Sequence, residues 1–158
     1  VFSVLQRGMR AHDVITLRSR QVVADRVHIK AQKTGKMIDM KLAKHSEEII
    51  KTYKGGAYVF PLMPTTKMSE EKYLKVVNAK NSLINKYLVK VTDAAYVSKK
   101  ITMHTARHTF AYLADLKGVS VGTIQSLLDH SKLETTERYI RTLKKSDELD
   151  SAVESMWE

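Results

Sequence analysis

The stretch "ITMHTARHTF", residues 101–110, places His104, Arg107 and His108 at i, i+3 and i+4, one stripe of a helix. An imidazole N–H and a guanidinium fork one turn apart can grip a single small anion, because the planar donors of arginine match phosphate oxygens two at a time. The same spacing of histidines is also used to hold zinc. Here the intervening residues are Thr-Ala-Arg, the glutamate of a zinc-protease helix is missing, and Arg107 repels a cation, so no metal is expected. A third reading is a capped helix with half-buried histidines and no chemistry. Further along, "LLDHSKLETTERYI" carries His130 just past an apolar helix and Tyr139 nine residues later. A lone tyrosine is ordinarily a packing residue with a wet hydroxyl. Beside two arginines and two imidazoles it acquires a second reading, because a phenol oxygen aligned with a phosphodiester can attack phosphorus covalently.

The elements that must position these groups follow from punctuation and periodicity. Residues 2–6 and 11–17 read as helical pieces broken at Gly8, with Arg10 close to the break. In "VVADRVHIKAQKTGKMIDMKL", β-branched runs separated by Ala24-Asp25 and Lys33-Thr34-Gly35-Lys36 predict a small three-stranded antiparallel sheet. A helix from Lys44 to near Tyr53 precedes the glycine pair, and "YVFPLMP" is an extended connection. Ser69 caps what should be the longest helix, with Leu74, Val77, Ile84, Leu88 and Val91 as its apolar stripe. After Lys99-Lys100, one helix runs from about His104 to Leu116 and stops at Gly118; a second is capped by Ser120 and carries Val121, Ile124, Leu127 and Leu128; a short third leads to Tyr139. Leu149, Ala152, Val153 and Met156 stripe a C-terminal helix. The fold class is therefore α+β, mostly α, with a small sheet near the N-terminus.

The 158 residues suit one domain with a core of its own, and 43% hydrophobic residues exclude wholesale disorder. With 27 Lys and Arg against 17 Asp and Glu, the net charge is +10, which attracts polyanions, nucleic acid first among them. The alternative is that the excess only maintains solubility. Absence of cysteine excludes disulfides, zinc ribbons and thiol catalysis. No apolar run is long enough to span a membrane and the start is unlike a signal peptide, so a cytoplasmic protein is expected. The opening "VFSVLQRG", without initiator Met or helix cap, reads as a fragment from which an N-terminal part is missing.

Taken together, "HTARHTFA" followed by "GVSVGTIQSLLDHSKLETTERYI" resembles the tyrosine recombinases, or phage integrases: His-x-x-Arg-His, a Leu-Gly-His element, then the tyrosine. "RGMRAHDVITLR" is similar to the family's first arginine motif and "AQKTGK" to its lysine hairpin, so the resemblance runs from about Phe2 to Arg141. It implies a helical tyrosine-recombinase catalytic domain occupying residues 1–158, without the N-terminal core-binding domain. By the same resemblance Arg10 and Arg107 hold the scissile phosphate, His104 assists proton movement or bonds the phosphate, His130 donates a further hydrogen bond, Lys33 protonates the leaving 5′ oxygen, and Tyr139 attacks. Asp13 would orient the first arginine and His108 would support from behind. Lys36, across the turn, is the rival of Lys33 and otherwise a DNA contact.

The resemblance further implies double-stranded DNA as partner, a homo-tetramer on paired DNA sites, a monomer for the isolated fragment, and residence with the bacterial nucleoid. Lys86, Lys90, Lys99, Lys100 and Arg141 are candidates for DNA-backbone contacts; each is a plain solvated side chain on the alternative reading. The C-terminal helix packs on a neighbour or folds back on its own domain. One departure from the family pattern is Asp129, where glycine usually precedes the second histidine. A carboxylate there is expected to strain a left-handed helix end, and to raise the His130 pKa or disfavour the anion. Two other functions compete with recombination: a DNA-binding module without chemistry, against which the presence of all six polar residues argues, and a type IB topoisomerase.

Overall fold

The computed structural model describes residues 1–53, 56–142 and 144. Helix α1 (Phe2–Leu5) and helix α2 (Ala11–Ile15) lie either side of a sharp break at Gly8. A short 3-10 turn at Ser19–Gln21 leads into strands β1 (Val22–Val23), β2 (Arg26–Lys30) and β3 (Met37–Lys41). Then follow α3 (Lys44–Tyr53), α4 (Glu70–Ala94), α5 (Thr105–Leu116), α6 (Val121–Leu128) and a last helix, α7, at residues 133–142. The α+β, mostly helical class expected from the sequence is the one observed.

The sheet is an antiparallel meander in the order β1-β2-β3, with Val27 opposite Met40 and Ile29 opposite Ile38. Alternation along β2 buries Val27 and Ile29 while Lys30 stays exposed, the period-two pattern of a sheet with one wet face. The β2–β3 turn is closed by bonds from Ala31 N to the Lys36 carbonyl and from Gly35 N to the Ala31 carbonyl, each 2.8 Å. Gly35 sits there at φ +70°, a left-handed conformation that glycine adopts without strain.

Three apolar clusters hold the elements together. The first sets Phe2, Met9 and Val14 of the α1–α2 segment against Val27, Ile29 and Met40 of the sheet and Ile50 of α3. A second joins Ala111 of α5, Ile124 and Leu128 of α6, and Tyr139 and Ile140 of α7. A smaller one, Ile15 with Met63 and Val77, fastens α4 to α2. Fully burying a side chain such as Ile124 or Leu128 stabilises the fold by about 1.5–3 kcal/mol. Ser69 and Ser120 cap α4 and α6 as expected, each accepting a bond from the backbone N–H three residues on.

The apolar stripe expected along α4 is only partly used. Val77 is buried and Ile84 packs beside it, but Leu74 is 41% and Val91 61% exposed; α4 runs 25 residues, and its apolar packing with Ile15, Tyr58 and Met63 uses Tyr73, Val76, Val77 and Ile84, so Val91 lies beyond it. No helix among the described residues is long and apolar enough to cross a membrane. The expected C-terminal helix around residues 149–156 lies outside the described residues.

Candidate active site

Arg107 is the side chain on which the site is built. It projects from the first turn of α5, is 5% exposed, and crosses the junction of the first two apolar clusters. Its Nη1 donates to the Gly8 carbonyl at 2.7 Å and its Nη2 to the Leu128 carbonyl. One guanidinium thus ties the α1–α2 break to the end of α6. Two of its five N–H donors are used in this way, leaving others for the cleft that Arg107 lines. Burial, and then repulsion by Arg10, lower its pKa to about 10, still far above neutrality. The close approach explains Gly8: a Cβ there would lie 2.9 Å from the Arg107 Cα.

Tyr139, on α7, is enclosed by the three histidines. Its hydroxyl lies 2.8 Å from His104 Nε2. The His108 ring stacks on the phenol at 3.7 Å between centroids, and His130 meets its edge at 4.8 Å. His104 precedes α5 by one residue and His108 lies on its first turns, so the sequence stripe survives, with His104 as the cap position of the helix. His130 follows α6, and its Nδ1 shares a 2.9 Å hydrogen bond with the buried Thr136 hydroxyl. When that hydroxyl donates, the ring proton sits on Nε2.

All three rings are held toward the neutral form. Burial comes first, and nearby positive charge adds to it: for His130 the pKa falls to about 4, with Arg107 and Arg10 the leading charges. His104 is lowered by burial and by Arg107, Lys33 and Arg10, and His108 by burial, His104 and Arg107. Such a concentration of cations around neutral imidazoles leaves a positive hollow in want of an anion. A cleft of about 540 Å³ is lined by Arg10, Lys33, His104, Arg107, His130 and Tyr139 together. The six residues singled out in the sequence therefore share one cavity, although they come from five separate stretches of chain.

The supporting candidates separate. Asp13 is buried on α2, and its Oδ1 accepts from the Gln32 backbone N–H at 3.3 Å, fastening the start of the lysine turn to the helix after Arg10. Lys33 lines the cleft, whereas Lys36 points to Asp129, its Nζ 2.9 Å from Oδ1. Lys86 and Lys90 lie exposed on α4, Lys99 and Lys100 in the loop before α5, and Arg141 on α7; none of the five lines the cleft. Lys90 covers the Tyr87 ring at 5.3 Å.

Asp129 does not behave as expected. It holds a left-handed conformation, φ 54° and ψ 48°, at the end of α6, where the His130 N–H bonds back to the Gln125 carbonyl at 3.1 Å. Its carboxylate turns away from the His130 ring toward Thr34, Lys36 and Arg10. Burial would push its pKa up, but the bonds from Thr34 and Lys36 and the charges of Lys36 and Arg10 outweigh that and hold it below the usual carboxylate range. The predicted rise of the His130 pKa is overturned: burial first, and then the charges of Arg107 and Arg10, lower it, while the Asp129 carboxylate faces the hairpin.

Several lining residues had no signature in the sequence. His12, Asn81, Asn85, Thr102 and Thr135 also face the cleft. Asn85 Oδ1 accepts from the Met103 N–H at 2.9 Å, setting the loop that delivers His104. The i, i+4 spacing of Asn81 and Asn85 was their only visible signal.

Comparison with known proteins relates the chain to a family. The tyrosine recombinase XerA of Saccharolobus solfataricus is 28% identical over 141 residues, covering 86% of this chain and 42% of that protein. A putative integrase/recombinase of Sinorhizobium fredii is 27% identical over 144 residues, 85% of this chain and 52% of its own length. The chain spans about half or less of these curated relatives. Among solved structures, a XerA recombinase superposes with a TM-score of 0.65 at 20% identity, covering 87% of this chain and 50% of that one. XerH recombinase bound to palindromic difH substrate, a post-cleavage complex, gives 0.63 at 18% identity over 97% of this chain and 44% of its own. These likenesses establish the fold. The profile of the phage integrase family matches residues 3–146, nearly the whole chain, and the chain belongs to that family.

Proposed function

We propose that this chain is the catalytic domain of a site-specific DNA recombinase that cuts and rejoins strands through a 3′-phosphotyrosyl intermediate. The observation that carries the reading is the Tyr139 hydroxyl, 2.8 Å from His104 Nε2, at the wall of a cleft that also holds Arg10, Arg107, His130 and Lys33. In the proposed reaction a scissile phosphate sits between Arg10 and Arg107, whose charge is worth most as the pentacoordinate transition state gains negative charge. Tyr139 Oη bonds to phosphorus while neutral His104 accepts the phenolic proton. The bond from phosphorus to the 5′ oxygen breaks, and Lys33 donates a proton to that oxygen. His130 Nε2 donates to a non-bridging oxygen. Attack by a partner strand's 5′-hydroxyl reverses the sequence and releases Tyr139, so no nucleotide energy source is consumed.

DNA as partner is supported by the net charge of +10 and by the DNA-bound complexes of structural neighbours, such as a lambda integrase dimer on a COC′ core site. A tetramer on paired sites, with the isolated domain a monomer, and action at the bacterial nucleoid in the cytoplasm belong to the same proposal. The test is a nicked suicide duplex that traps the intermediate. The wild-type protein should form a covalent protein–DNA adduct and Tyr139→Phe none. Adduct formation by the mutant refutes Tyr139 as nucleophile, and binding without adduct by the wild type identifies a DNA-binding module. Relaxation of supercoiled plasmid without strand exchange by the full-length protein would favour a topoisomerase.

A further inference from the structure

The family pattern leaves the residue before the second histidine without a side chain, and here that position is filled by a carboxylate in a network of its own. Asp129 has a side chain only 9% exposed, yet it is packed against cations and a hydroxyl instead of apolar groups. Thr34 donates its hydroxyl to Oδ2, Lys36 Nζ lies 2.9 Å from Oδ1, and Arg10 Nη1 lies 3.7 Å from Oδ2. The Asp129 carbonyl takes a further bond from Arg10 Nη2 at 3.3 Å. Thr34 and Lys36 follow Lys33 on the β2–β3 turn, 95 and 93 residues from Asp129 in sequence, so these contacts are long-range tethers. Asp13 fastens only the start of the turn, at Gln32, and the bonds that close the turn lie within it, so the tip beyond Lys33 takes its long-range anchoring from Asp129.

We propose that Asp129 is a positioning residue: it pins the Lys33 turn to the end of α6, and so sets Lys33 against the cleft before substrate arrives. It touches no reacting atom. The energetic logic is preorganisation, because a general acid must lie within hydrogen-bond reach of the leaving oxygen and an ångström of slack is costly. The left-handed backbone at Asp129 is the accompanying strain, offset by the contacts the side chain makes.

This inference rests on the proposed function and predicts a specific kinetic signature. A leaving group bridged through 5′ sulfur departs without protonation, whereas 5′ oxygen needs the acid. The probe is a nicked duplex chosen by the full-length protein from a random-sequence library, made with either oxygen or sulfur at the scissile 5′ position. Asp129→Asn keeps side-chain shape and tolerance of the left-handed backbone but removes the charge. It should slow adduct formation about tenfold with oxygen and less than about twofold with sulfur. Thr34→Val, which cuts a different strand of the same tether, should show the same selectivity. The sulfur substrate also reports that each variant is folded.

Equal slowing on both substrates, or no slowing on either, overturns the positioning role while leaving the recombinase reading intact. A wild-type protein that forms no adduct on either substrate overturns both. Asp129→Gly, which also relaxes the backbone, should stay within about a hundredfold of wild type. Complete loss of cleavage or a larger gain in that variant contradicts the assignment.

Discussion

At the scale of the residue, Arg107 shows how one side chain can serve structure and chemistry together. Its two buried bonds satisfy carbonyls that no water reaches, and a buried acceptor left unpaired costs about 1–3 kcal/mol. Arg107→Ala should therefore lower unfolding free energy by about 3 kcal/mol, read from the urea midpoint at unchanged slope. Arg107→Lys keeps the charge but cannot reach both carbonyls, and should lose roughly half as much; a lysine variant as stable as wild type would disprove the double tether. The histidines make a pH prediction. His130 protonates near pH 4 when folded and near 6.5 when unfolded, so between those values the unfolded chain binds more protons. Stability is thus constant above about pH 6.5 and declines as pH falls toward 4, with His104 and His108 shifted the same way. Asp129 titrates beneath that window and does not contribute to it. Urea unfolding at pH 7 and pH 5 should show the loss, and His130→Gln should reduce it.

At the scale of the element, the α1–α2 break decides how the first arginine meets the second. Gly8 stands at φ +64° with the Arg107 backbone against it, so Gly8→Ala combines a left-handed alanine with a contact that only backbone movement can relieve. The left-handed conformation alone costs about 1–2 kcal/mol. Thermal unfolding should report a loss of at least about 2 kcal/mol, and adduct formation should fall with it. By contrast Gly118, also at positive φ, has nothing within reach of an added Cβ, so Gly118→Ala should cost only the backbone strain of about 1 kcal/mol. The comparison separates crowding from conformation. Elements were legible wherever punctuation was strong: Ser69 and Ser120 mark helix starts, and Lys33-Thr34-Gly35-Lys36 marks a turn. The α4 stripe was less informative, because periodicity reports which face is apolar but not how much of that face another element covers.

At the scale of the whole molecule, the charge excess becomes a field. On the proposed reading, cations at the cleft and along α4, the loop before α5 and α7 should make binding to duplex DNA strongly dependent on salt, through counterion release. Affinity for a duplex of arbitrary sequence should fall at least about tenfold between about 50 and 200 mM KCl. Replacing Lys86 and Lys90 together should flatten the slope of log affinity against log salt by up to about 2 if both meet phosphates, and leave it unchanged if both are merely solvated.

The sequence by itself determined the element types, the caps, the mostly helical class with its small sheet and the six polar residues of the cleft, because helix periodicity, turn chemistry and side-chain type are local properties. His104 and Arg107 could be paired from spacing alone, since a helix makes i and i+3 neighbours. Only the tertiary structure decided that Tyr139 lies against His104, that Lys33 and not Lys36 faces the cleft, and that Asp129 reaches the hairpin instead of the histidine beside it. Those outcomes depend on contacts between groups tens of residues apart. Their geometry follows from how two apolar clusters close around one buried guanidinium, and local sequence carries no record of it.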